Sequence, residues 1–123
     1  MNAVVLIIED NEQNLYLMRF LLEIHGFTVA EAKDGRKGIE MVKEISPQLI
    51  LLDIQLPEMD GYSVARELRR SREFDHIPII AVSSYAMVGD REKALEVGVN
   101  DYIEKPIDTE TFIGQIKKYI LLP

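Results

Sequence analysis

The sequence predicts one α/β domain: a five-stranded parallel sheet of order 2-1-3-4-5, with five helices packed on its two faces. Three observations carry this. Short apolar runs alternate with segments of helical period along the whole chain. Three of the runs are apolar almost throughout, as central parallel strands covered on both faces must be. The connections between successive runs are short and carry turn and cap residues.

The elements follow in order. Strand one is "VVLII" at 4–8, and helix one places Leu15, Met18 and Leu22 on one face before stopping at Gly26. Strand two spans 28–32. Asp34 is the candidate N-cap of helix two, whose face is Ile39, Val42 and Ile45, and Pro47 separates it from strand three at 49–52. Asp60 is the candidate cap of helix three, with Val64, Ala65 and Leu68 inward. Strand four spans 79–82. Helix four, at 87–97, has the weakest pattern, with Ala94 and Leu95 as its apolar pair and Gly98 as its stop. Strand five spans 101–103, and Asp108 is the candidate cap of helix five, whose face is Phe112, Ile113, Ile116 and Ile120. Strand and helix repeated five times with short connections imply right-handed crossovers, most simply a flavodoxin-like three-layer αβα sandwich.

Length and composition bound the function. The 123 residues fit a single domain, 1–123, and 47% hydrophobic content suffices for a core. The longest apolar stretch, 3–8, is far below the roughly 20 residues of a membrane helix, and no signal peptide begins the chain. A soluble cytoplasmic protein is expected, with no membrane partner. The chain has no cysteine, which excludes thiol catalysis, thiolate metal sites and disulfides. A net charge of −7 disfavours nucleic acid, whose phosphates need Lys and Arg.

In an open parallel sheet the functional crevice lies outside the carboxyl ends of the strands. Those ends offer Glu9 and Asp10 after strand one, Asp53 after strand three, Ser83 and Ser84 after strand four, and Lys105 after strand five. Singly, each has a plain structural role. Glu9 and Asp10 suit a helix start, Asp53 a loop cap, Ser83 a strand end and Lys105 a solvated surface. Together they place three carboxylates opposite one ammonium. At an effective dielectric near 20, two unit charges about 4 Å apart interact by roughly 4 kcal/mol, so the surplus negative charge calls for a cation. Oxygen ligands with room for water suit Mg²⁺. A carboxylate can attack phosphorus to give an aspartyl phosphate, a reaction that needs in-line positioning and charge neutralisation. Asp53, Glu9 with Asp10, Lys105 and Ser83 fill these roles.

The motifs "IIEDN" at 7–11, "LLDIQLPEMDG" at 51–61, "AVSSYA" at 81–86 and "DYIEKP" at 101–106 resemble the receiver domain of two-component response regulators over essentially the whole chain. The steps of 30 residues from Asp53 to Ser83 and 22 from Ser83 to Lys105 match the family's spacing. The resemblance implies that Asp53 is the phosphoacceptor. It implies Asp10 as a direct Mg²⁺ ligand, Glu9 as a ligand through water, and the backbone carbonyl of Gln55 as a further ligand. Lys105 would pair with the phosphoryl group, with a cis bond to Pro106. Ser83 would move to a phosphoryl oxygen and Tyr102 would follow it as the switch aromatic. Ser84 stands where the family usually has Ala or Gly, which with Gln55 bears on phosphate lifetime.

The stretch at 86–106 is similar to receivers of hybrid kinases and stand-alone cell-cycle regulators. The implied function is a phosphorelay signalling switch, not an enzyme, without an effector domain. Its donor would be a histidine kinase or histidine phosphotransfer protein. Output would pass through the face of helix four, strand five and helix five, from a monomer or a phosphorylation-dependent dimer.

Competing readings are disfavoured by particular residues. An Mg²⁺-dependent phosphatase with an aspartyl intermediate needs a general acid two residues past the nucleophile, where Gln55 stands. A flavin-binding domain needs phosphate-cradling amides after strand one, where "EDNEQN" would repel an anion. A degenerate receiver would lack some of the chemical positions, all of which are filled.

Overall fold

The computed structural model describes residues 3–84 and 89–120. The elements run β1 (Val4–Ile8), α1 (Glu12–Ile24), β2 (Thr28–Ala32), α2 (Gly35–Ile45), β3 (Leu49–Asp53), α3 (Gly61–Arg69), a 3₁₀ turn (Arg72–Phe74), β4 (Ile79–Ser83), α4 (Asp90–Glu96), β5 (Asp101–Glu104) and α5 (Phe112–Lys117). All neighbouring strands are parallel, in the order β2-β1-β3-β4-β5.

Side-chain alternation along the strands makes the three layers. Val5 and Ile7 of β1, Leu49 and Leu51 of β3, and Ile80 and Val82 of β4 enter one core with α1 and α5. Their neighbours Leu6, Ile8, Ile50, Leu52, Ile79 and Ala81 enter the other, with α2, α3 and Ala94 of α4. A strand apolar on both sides must therefore be central, and β1, β3 and β4 are. Their carboxyl ends lie side by side, and the order of the sheet reverses between β1 and β3.

Caps and stops explain the boundaries. Asn11, Asp34 and Asp60 each accept a hydrogen bond from the backbone N–H three residues on, at 2.9, 2.8 and 2.9 Å. Gly26 and Gly98 end α1 and α4 with φ of 91° and 100°, a left-handed backbone that suits glycine.

Several boundaries differ from the sequence reading. β3, β4 and β5 run one residue further, so that Asp53, Ser83 and Glu104 are themselves strand residues. Leu95 is 45% exposed, because the short α4 turns only Ala94 onto the sheet. Residues 87 and 88 of the expected helix four lie outside the described residues. Asp108 caps the turn before α5 instead of the helix: its carboxylate accepts from Glu110 N–H at 2.9 Å, and the N-cap is Thr111. α5 ends at Lys117, and Ile120 packs on the core from beyond it.

The far end of the sheet is held by Arg69. Its guanidinium donates to the carbonyls of Gly98, Phe74 and Ile77 at 2.9, 2.7 and 2.8 Å, and to Asn100 Oδ1 at 3.0 Å. Asn100 Oδ1 also accepts from Ile79 N–H, at 2.9 Å. One side chain thus ties α3 and the 3₁₀ turn to the entries of β4 and β5.

Candidate functional site

The predicted groups converge at the carboxyl edge, around a pocket lined by Glu9, Asp10, Asp53, Gln55, Ser84 and Lys105, with α1's first turn. Their backbones are pinned through the sheet. Glu9 N–H donates to Ala32 O at 3.0 Å, Ile54 N–H to Val82 O at 3.1 Å and Lys105 N–H to Ser83 O at 2.8 Å. The last of these is followed by a cis Lys105–Pro106 peptide.

Burial divides the acids. Glu9 is 0% and Asp53 3% exposed, whereas Asp10, the next residue, faces solvent. Asp53 splits its oxygens between two partners: Oδ1 accepts from Gln55 N–H at 3.0 Å, and Oδ2 lies 3.4 Å from Lys105 Nζ. The same Nζ is 2.9 Å from Glu9 Oε1, with a lysine side chain only 9% exposed. That contact is a charge pairing, because Oε1 has no hydrogen-bond donor of proper geometry among the described residues. Glu9 Oε2 accepts from Asn11 N–H at 3.2 Å. Burial first, then Asp53 alongside, push the Glu9 carboxyl up to about 7, against the opposing pull of Lys105.

The donor set fits a hard divalent cation. Glu9, Asp10 and Asp53 each present a carboxylate oxygen, and the three lie within 4.8 Å of one another. Three carboxylates facing one ammonium leave a surplus that a cation would neutralise, and the undonated Glu9 Oε1 is buried beside them.

Ser83 is buried at the end of β4, and Tyr102 is buried on β5 in the core shared with α3 and α4. The structure therefore brings Glu9, Asp10, Asp53 and Lys105 together, with Ser83 linked to them through Gln55. Sequence reasoning gave Gln55 a backbone carbonyl toward the metal and a bearing on phosphate lifetime, and missed the contacts of its side chain. Nε2 donates to Ser83 Oγ at 2.7 Å, and Oε1 accepts from Ser84 N–H at 3.3 Å. The available signal was an uncharged polar residue in the loop after β3, opposite two strand-end serines.

An open parallel sheet that presents a buried carboxylate, a cation-ready acid pair and a lysine at its switch point defines an α/β domain built to carry a phosphoryl group on an aspartate. The family model described as "Response regulator receiver domain" matches residues 5–117, and the chain belongs to that family. It is 42% identical over 120 residues to the polar-differentiation response regulator DivK of Brucella ovis, covering 98% of each chain. The receiver domain of sensor histidine kinase PA1611 from Pseudomonas aeruginosa PAO1, solved with a magnesium ion coordinated in its active-site cleft, superposes with TM-score 0.88. It is 32% identical and covers 97% of this chain and 98% of that one. The chemotaxis protein CheY4 of Vibrio cholerae shares the fold, with TM-score 0.91 at 21% identity over 98% of this chain and all of that one.

The chain is accordingly a phospho-accepting signalling switch and not a true enzyme, and its Glu9, Asp10 and Asp53 cluster is typical of a receiver Mg²⁺ site. Membership of the family implies a histidine kinase as partner. No helix among the described residues is long and apolar enough to cross a membrane.

Proposed function

We propose that Asp53 is the phosphoacceptor, taking its phosphoryl group from the phosphohistidine of a histidine kinase or a histidine phosphotransfer protein. The observation that carries this is the position of Asp53: nearly buried, held by Gln55 N–H, 3.4 Å from Lys105 and beside the Glu9 and Asp10 carboxylates. A carboxylate oxygen forms the new bond to phosphorus as the phosphorus–nitrogen bond breaks and its electron pair returns to the imidazole. No general base is required, because a carboxylate nucleophile has no proton to lose on attack.

Asp10, Asp53 and the Gln55 carbonyl would hold Mg²⁺ directly, and Glu9 through water. Bound Mg²⁺ supplies charge neutralisation for the phosphoryl oxygens. Lys105 leaves its pairing with Asp53 to meet a phosphoryl oxygen, and the Ser83 hydroxyl donates to another. Tyr102 repacks as Ser83 moves. Phosphorylation adds a charge near −2 at one edge of the sheet, which biases two surface arrangements.

The output surface is the face of α4, β5 and α5, in a cytoplasmic setting. Asp101 on β5 supports this reading. Its Oδ1 lies 3.5 Å from Arg91 Nη2 on α4, and its Oδ2 accepts from the Tyr119 hydroxyl, just past α5, at 2.9 Å. The three elements are joined and would respond together. The test is intact mass after incubation with a small phosphodonor and Mg²⁺. One phosphoryl mass is expected on the wild type and none on Asp53→Asn; retention of the product in that variant overturns the assignment.

A further inference from the structure

The Gln55 side chain is not used by the phosphotransfer described above, yet Gln55 lines the pocket. Its backbone N–H holds Asp53 Oδ1, while its amide turns away from the acid to the end of β4. There it makes two different bonds with one planar group, donating to the Ser83 hydroxyl at 2.7 Å and accepting from Ser84 N–H at 3.3 Å. The orientation of the amide is set by chemistry. Flipped, its NH₂ would face the Ser84 N–H, donor against donor.

Of the two groups engaged, Ser84 N–H is a donor lining the pocket of Asp53, and the Ser83 oxygen is an acceptor. β4 lies next to β3, with Val82 opposite Asp53, so Ser83 and Ser84 continue the strand alongside the carboxylate. A phosphoryl group on Asp53 brings oxygens that accept hydrogen bonds, and a backbone N–H has one proton to give. Ser84 N–H cannot serve Gln55 and a phosphoryl oxygen equally. Ser83 is buried and takes part through its oxygen, so the amide fixes where that oxygen sits beside the acid-bearing strand. The Ser83 bond is the more stringent of the two, since water cannot readily replace a partner at a buried hydroxyl. At the exposed Ser84 it can.

We propose that Gln55 is a positioning residue that latches the resting state: its amide, anchored on the buried Ser83 oxygen, occupies the Ser84 N–H, and activation requires release of that donor. The latch rests on the reading of Asp53 as acceptor. The need to release it weakens the apparent affinity for any ligand that needs the freed donor, in proportion to the fraction of molecules already released. Strengthening or removing the amide therefore sets how readily the switch responds, apart from the chemistry of transfer.

The test uses ¹⁵N-labelled wild type, Gln55→Met, Gln55→Ala and Asp53→Asn, titrated with beryllofluoride at saturating Mg²⁺ and followed by the Ser84 amide resonance. Met matches the length of Gln without its hydrogen bonds, and Ala repeats the comparison without its bulk. Both retain the backbone carbonyl. Each is expected to half-saturate at about five- to tenfold lower beryllofluoride than wild type, tenfold being about 1.4 kcal/mol. Tighter binding in both variants is the signature of the latch, since a merely structural role for Gln55 would leave binding unchanged or weaken it. Half-saturation at or above the wild-type value overturns the latch. No binding by wild type, or equal binding by Asp53→Asn, overturns the acceptor reading itself.

Discussion

Gly61 tests whether the loop after β3 is built to hold Asp53. It is the first residue of α3, and its N–H donates back to Ile54 O at 2.9 Å. A Cβ there would lie 2.5 Å from the backbone oxygen of Asp53, 2.7 Å from Ile54 Cα and 2.9 Å from Ile54 Cδ1. Favourable nonbonded separations are about 3.5–4.0 Å, so α3 and the end of β3 would have to part by about 1 Å. The first two obstacles are main-chain atoms at the end of β3 and of the residue just past it, which no rotamer change can move. Gly61→Ala is therefore placed at the upper end of overpacking costs, about 3 kcal/mol. At roughly 4 °C per kcal/mol for a domain of this size, the unfolding midpoint should fall by about 10 °C.

The displaced atom belongs to Asp53, the proposed acceptor, so phosphorylation by a small donor should slow as well. A misplacement near 1 Å costs on the order of 100-fold. Gly114 is the control within the same protein. It lies inside α5 with nothing within 4 Å of its Cβ position, so Gly114→Ala should stabilise by about 0.5–1 kcal/mol. Thermal or urea unfolding of both variants and a single-turnover phosphorylation rate measure all three effects. Gly61→Ala within about 0.5 kcal/mol of wild type, or a destabilised Gly114→Ala, would refute the packing argument.

Two further outcomes follow from the charges. Lys105→Met removes an ammonium 2.9 Å from Glu9 and 3.4 Å from Asp53, so Mg²⁺ should bind severalfold tighter while phosphorylation slows by about 100-fold; an unchanged rate would exclude Lys105 from the transfer. In metal-free protein the folded state keeps the Glu9 proton up to about 7, against 4.5 for the ordinary group, so this residue's contribution to stability is whole below 4.5 and lost as pH rises through about 7. Unfolding midpoints of wild type against Glu9→Gln should diverge as pH rises across that window, wild type falling, and parallel profiles would contradict the raised value.

The contrast between Glu9 and Asp53 on one side and Gln55 and Arg69 on the other shows what kind of fact a sequence of this class carries. An apolar run such as 49–52 obliges its strand to be central, centrality puts the strand's carboxyl end in the crevice, and the next polar residue must stand at the site. That chain of reasoning runs along the backbone and needs no side-chain conformations, which is why the three acids, Ser83 and Lys105 were legible. The division of labour between adjacent Glu9 and Asp10 was not. Both follow the same strand, and only the packing of neighbouring strand ends decides that one is wholly buried and the other open. Contacts such as Gln55 to Ser83, 28 residues apart, or Arg69 to Gly98, 29 apart, depend on where flexible side chains of two loops meet. No periodicity encodes them. The exposure of Leu95 has the same origin, for a seven-residue helix is too short for its pattern to choose a face and takes the one that α3 and β5 leave to it. What escaped the sequence is thus the meeting of side chains from distant segments, at the site in Gln55 and at the opposite end of the sheet in Arg69.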